Sequence, residues 1–130
     1  MSADPRTIDN ESQGIVIVPF NIEVSDSTYS LDETDIGKPV ALTANNEISD
    51  GADGEAFLGK LIGVTDDGTV GLVQVKGICT GLAYSGTTPV LGWQVQMSGA
   101  GTVDKGATEG IRRGFTVNVD TTAVTCDVLL

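Results

Sequence analysis

Short runs in which apolar and polar residues alternate recur along almost the whole chain, separated by Gly, Asp and Asn. Asn21-Ile22-Glu23-Val24, Val73-Gln74-Val75-Lys76 and Phe115-Thr116-Val117-Asn118-Val119 all show period two, the mark of strands covered on one face. Ile15-Val16-Ile17-Val18-Pro19-Phe20 does not alternate. It predicts a strand buried on both faces that ends, or lies at a sheet edge, near Pro19, because proline has no N–H for a ladder. Further strands are predicted at residues 39–43, 61–64, 70–78, 94–97 and 126–130. Asn45-Asn46 marks a turn, and Asp66-Asp67-Gly68 between two strand patterns predicts a hairpin. Ser30-Leu31-Asp32-Glu33 fits a capping box, but Gly37 and Pro39 follow too soon for more than one helical turn. Residues 80–88 read as a loop of small residues, and residues 98–110 are glycine-rich. The chain ends on Leu129-Leu130, so its last strand is expected to pair into the sheet.

Residues 1–14 are polar and acidic, with Ile8 as their single large aliphatic, and read as a flexible, extended arm. Residues 15–130 then form one all-β domain, a small compact barrel of β-tulip type. Composition agrees: 15 Val, 9 Ile and 15 Thr suit pleated surfaces, and 17 Gly serve turns. Hydrophobic residues at 40% and charged residues at 19% argue against a disordered acidic chain.

The two halves resemble each other. A shift of 55 lays Ile36-Gly37-Lys38-Pro39-Val40-Ala41-Leu42-Thr43 over Leu91-Gly92-Trp93-Gln94-Val95-Gln96-Met97-Ser98, and Ile48 over Val103. With a shortened loop, Gly63-Val64 falls on Gly114-Phe115 and Val73-Gln74-Val75 on Cys126-Asp127-Val128. Duplicated units are thus expected at about residues 30–78 and 85–130. Gly37 and Gly92 each precede a strand, where a tight turn calls for positive φ.

Charge and chemistry narrow the function. Net charge is −11 and histidine is absent, which removes His-based triads, His-ligated zinc and imidazole acid–base catalysis. The acidic surface repels nucleic acid and anionic membrane, and Arg112-Arg113 is a pair rather than a patch. Neither partner is expected. Cys79 and Cys126 read as reduced, core-facing thiols on neighbouring strands. Asp50-Gly51-Ala52-Asp53-Gly54-Glu55 invites a calcium reading, yet Ala52 and Gly54 stand where ligands are needed, so a solvated loop is expected and no metal. Ser27, Ser30 and Ser85 have no base, and Asp66-Asp67 reads as a turn. The expectation is therefore no catalytic residue and no cofactor. Trp93 is expected in the core or at a subunit contact, since one aromatic does not line a carbohydrate site.

The run Gly37-Lys38-Pro39-Val40-Ala41-Leu42, the segment Leu61-Ile62-Gly63-Val64-Thr65-Asp66-Asp67-Gly68, Val73-Gln74-Val75-Lys76-Gly77 and Leu91-Gly92-Trp93-Gln94-Val95 resemble, in order and spacing, the head-decoration or capsid cement proteins of tailed bacteriophages. The resemblance covers roughly residues 30–130, and its turn and strand signature is Gly37, Val40, Gly63, Gly77, Gly92 and Val95. It implies a homotrimeric virion protein, made in the host cytoplasm, that binds the major capsid protein at three-fold positions on the outer capsid surface and strengthens the expanded shell. Family members reach the shell with an N-terminal segment, which here points to Ile8, Ile15, Val16, Ile17, Val18 and Phe20. The competing readings are a β-domain of a phage tail or fibre, or a carbohydrate- or host-binding module.

Overall fold

A computed structural model describes residues 14–99, 101–105 and 113–130; the polar arm with Ile8, and residues 106–112 of the second glycine-rich stretch, lie outside the described residues. The described chain is almost wholly β: β1 (Val16–Ile22), β2 (Val24–Ser25), β3 (Thr28–Tyr29), a 3-10 turn (Glu33–Asp35), β4 (Pro39–Ala44), β5 (Glu47–Ser49), β6 (Phe57–Val64), β7 (Val70–Lys76), β8 (Ile78–Ala83), β9 (Gln96–Gly99), β10 (Thr102–Asp104), β11 (Phe115–Asp120) and β12 (Thr125–Leu129).

The first seven strands, apart from the small β2–β3 hairpin, close a barrel in the order β1-β5-β4-β6-β7, with β7 antiparallel to β1. Its inward positions, Ile22, Val40, Ile48, Leu61 and Val73, are buried, and Leu31 adds to the same core. Burying each such side chain contributes about 1.5–3 kcal/mol. The 3-10 turn is capped as expected, but two residues later in the chain. Asp32 is the N-cap and Asp35 returns the second bond of the capping box.

The second half repeats this plan. Its strands pair as β10-β9 and β11-β12-β8, and single bridges at Tyr84↔Val103 and Val95↔Arg113 link the pieces. The cyclic order β8-β10-β9-β11-β12 is that of the first barrel, strand for strand. The register repeats as well. Leu61 pairs with Val73 and Thr116 with Val128; Lys60 pairs with Gln74 and Phe115 with Leu129; Leu42 pairs with Ile48 and Met97 with Val103. Every member shifts by 55, and the bulges between Leu61/Gly63 and Thr116/Asn118 coincide under that shift.

Four expectations are corrected. The shift stays at 55 through the second hairpin, so Gly63-Val64 does not fall on Gly114-Phe115, nor Val73 on Cys126; shared letters misled where a buried Thr116 replaces Leu61. β1 is not buried on both faces, because Ile15, Val16 and Ile17 are exposed and the strand runs past Pro19 to Ile22. Residues 80–88 are not all loop, since β8 reaches Ala83. The strand over 70–78 breaks at Gly77, whose φ of 95° turns the chain from one barrel into the next. Each unit therefore also takes an N-terminal strand outside the expected bounds, β1 in the first and β8 in the second.

The second barrel is less self-sufficient. Ala41 and Phe57, which face out of the first barrel, complete its core with Cys79, Leu82, Tyr84, Val95, Met97, Val103, Cys126 and Val128. The acidic loop at residues 50–55 lies along β9: Met97 N–H donates to Glu55 O and Gly54 N–H to Met97 O, both at 2.9 Å. The side chain of Arg113 donates to Leu58 O and, at 2.9 Å, to Val75 O; Lys60 Nζ donates to Thr80 O at 2.6 Å. The loop, whose Ala52 and Asp53 stay exposed, is also a clasp between units.

Candidate functional site

The six signature residues are spread over both halves and serve as frame. Val40 and Val95 are fully buried at matching places in the two barrels. Gly37 and Gly92 adopt φ of 102° and 81° and donate N–H to Leu61 O and Thr116 O, at 2.7 and 2.8 Å, again under the shift of 55. Gly63 sits in the β6 bulge. Gly77 is required by close approach, since a Cβ there would lie 2.2 Å from Gly14 O.

The residues expected to engage a shell divide by face. Val18, Phe20 and Ile22 point inward, and Phe20 packs against the first core. Ile17, Pro19 and Asn21 point outward, and Ile15 and Val16 are exposed at the strand's start. Ile8 lies outside the described residues. β5 pairs with β1 only at Asn21 and Ile22, so among the described strands the β1 edge from Val16 to Phe20 has no partner on that flank. Pro19 is tolerated in such a place. An apolar strand with an open edge is a template for another strand.

Apolar groups also reach the surface on the second half of the chain, among them Trp93 and Leu129, which the sequence singles out. Ile78, Leu129 and Phe115 are cross-strand neighbours on the outer face of the second barrel, with Leu129 at 41% and Phe115 at 54% exposure. Val90, Leu91 and Trp93 stand exposed on the turn before β9. Trp93 is thus not a core residue, and Lys105 Nζ lies 4.4 Å from its ring centroid, a cation–π contact.

Two of the acidic groups, Asp67 and Asp32, hold turns. Asp67 Oδ1 accepts from Thr65 Oγ1 at 2.7 Å, Thr69 Oγ1 at 2.8 Å and Thr69 N–H at 3.1 Å. These bonds, the Thr65 hydroxyl first, hold its carboxyl below the usual 3.8. Thr34, through its hydroxyl and then its N–H, does the same for Asp32. Asp32, Glu33 and Asp66 line one wall of an open groove of about 420 Å³ shared with Tyr29 and Leu31. Among the described residues no group of three or more Cys, Asp or Glu is placed to hold a metal ion. Cys79 and Cys126 are buried and unlinked on adjacent strands, and burial pushes their thiols up to about 11 and about 12. Such thiols are inert at neutral pH.

Compared with known proteins, the chain matches no family model, no curated protein and no solved structure.

Proposed function

We propose that this chain is a virion structural protein: a decoration, or cement, protein that grips the major capsid protein on the outer surface of a tailed-phage head. The observation that carries the reading is β1, an apolar strand with an exposed beginning and an open edge, placed where the acidic N-terminal arm enters the barrel. Adding a shell strand along that edge, guided by Ile15, Val16 and the arm, supplies several main-chain hydrogen bonds. Each contributes about 1 kcal/mol net, and ordering the arm opposes them. Many copies on one shell reinforce it nonetheless. The resemblance to decoration proteins supports the assignment and supplies its details, namely three-fold positions, trimers and preference for the expanded shell. A clamp of this kind needs no catalytic group, and a charge of −11 keeps many copies apart before assembly.

Co-sedimentation with purified capsids tests the reading. The chain is expected to pellet with expanded capsids and not with unexpanded ones; pelleting with neither overturns it. Deleting residues 2–14 is expected to leave the barrels folded and to weaken capsid binding by at least ~10-fold. The exposure of Trp93 favours the second reading, a carbohydrate- or host-binding module. Retention on immobilised polysaccharide, abolished by Trp93→Ala, would decide for it.

A further inference from the structure

The first barrel carries a hairpin that the second lacks. Glu23 N–H donates to Ile48 O as Ser85 N–H does to Val103 O, and Lys38 N–H donates to Asp35 O as Trp93 N–H does to Val90 O. Between these matched bonds the first barrel holds seven more residues than the second. They are the β2–β3 hairpin and Ser30, whose N–H returns to Glu23 O at 2.9 Å. Asp26 and Ser27 turn the hairpin with φ of 52° and 63°, and Tyr29 at its end is 41% exposed.

Tyr29 forms one side of the groove of about 420 Å³. Buried Leu31 and half-buried Val64 give the groove an apolar lining, and Asp32, Glu33 and Asp66 stand exposed along it. Thr34 holds Asp32 through its N–H and its hydroxyl. Among the described residues, the side chains of Glu33 and Asp66 have no hydrogen-bond or ion-pair partner. Lys38, the nearby cation, is bound to Asp35 at 2.7 Å. Like charges sharing one groove disfavour each other until a cation joins them.

The second barrel has no such arrangement. Under the shift of 55, Asp32, Glu33 and Asp66 correspond to Thr87, Thr88 and Thr121. Asp120, in the place of Thr65, accepts from the N–H groups of Thr122 and Ala123. The barrel frame is thus duplicated, while the hairpin and the three carboxylates belong to one copy alone. The frame itself does not require them. An aromatic wall, an apolar floor and unpaired carboxylates in one groove match a cation carried on an apolar stem.

We propose that this groove docks a basic segment of a partner protein by taking up an arginine side chain. The guanidinium lies against Glu33 and Asp66, the methylene stem over Leu31 and Val64, and the Tyr29 ring beside it. Guanidinium pairs with carboxylates through parallel N–H···O bonds and stacks on aromatic faces, and its stem packs on apolar surface. A volume of about 420 Å³ suits an organic group rather than a single ion. The charge of −11 draws a basic segment in at long range, and the groove fixes where it stops. The proposal does not rest on the capsid reading.

Its test is an amide NMR titration of the full chain with a capped Gly-Arg-Gly peptide, up to about 10 mM in about 0.15 M salt. Saturable shifts confined to the groove, at Tyr29, Leu31, Glu33 and Asp66, are expected, with a dissociation constant below about 5 mM. The double variant Glu33→Thr with Asp66→Thr, which installs the residue type of the second barrel, is expected to weaken binding by at least ~5-fold. Its circular dichroism should match that of the parent. Tyr29→Ala, on the exposed hairpin, is expected to weaken binding independently. Methylguanidinium, which has the cation without the stem, is expected to bind more weakly than the peptide. Absent shifts, shifts spread evenly over the acidic surface, or undiminished affinity in either variant overturns the proposal. Equal affinity for methylguanidinium also overturns it, leaving a small-cation site with no docked segment. Co-sedimentation with capsids is unaffected by any of these results, so the two readings fail separately.

Discussion

Asp67 closes the β6–β7 hairpin with three hydrogen bonds on one oxygen. Its folded pKa lies below 3.8, so the stability it contributes is full above that value and is lost as pH falls through the folded pKa. The melting temperature is expected to drop on acidification below pH 3.8. In Asp67→Ala that drop should be smaller, from a lower starting point, which thermal melts at several pH values will read. The thiols act at the other end of the scale. Raised from 9.0 to about 11 and about 12, they favour the fold below pH 9 and cease to do so as pH climbs through their folded values. Native protein at pH 8 is therefore expected to react with a thiol reagent far more slowly than the unfolded chain, with two thiols titrating once denaturant is added. A thiol that reacts at once in the native state would contradict the burial of Cys79 and Cys126.

At the scale of elements, the duplicated turn makes a paired prediction. Gly37 and Gly92 hold positive φ, and a Cβ at either meets nothing within 4 Å. Substitution by Ala thus costs backbone strain alone, about 1–2 kcal/mol. Gly37→Ala and Gly92→Ala should be destabilised by similar amounts in denaturant melts. These turns, and the strands that follow them, were legible because glycine, a buried valine and period two recur together. The second hairpin was only half legible. Its alignment required a buried threonine to stand for a leucine, and Thr116 manages this because its hydroxyl donates to Trp93 O at 3.0 Å. β8 was hidden for a different reason. After Ile78, the outer face of Ile78-Cys79-Thr80-Gly81-Leu82-Ala83 carries only small and polar residues, and the strand's buried positions are Cys79 and Leu82. Conversely β1 looks doubly buried because Ile17 is apolar on an exposed face. That surplus of hydrophobicity, rather than any motif, is what the sequence records of the exposed start of β1.

On the scale of the whole molecule, one barrel closes itself and the other is completed by it. Phe57 is fully buried in the second core although it belongs to the first barrel. Phe57→Ala is expected to cost about 3–5 kcal/mol and to loosen the second barrel first, which amide exchange in β8–β12 will report. The acidic loop at residues 50–55 reads from sequence as solvated, and none of its residues is buried; its main chain also clasps β9, a role invisible in side-chain chemistry. Ile17 on β1 and Phe115 on β11 stay exposed on the outside of the two halves. The most direct test of the borrowed core is to produce residues 14–77 and 78–130 as separate chains and record amide proton spectra alone and mixed. The first fragment is expected to show dispersed resonances by itself, and the second to show them only when the first is added. A second fragment that folds alone, or a pair that stays unfolded together, would contradict a molecule built from one closed barrel and one that borrows its core.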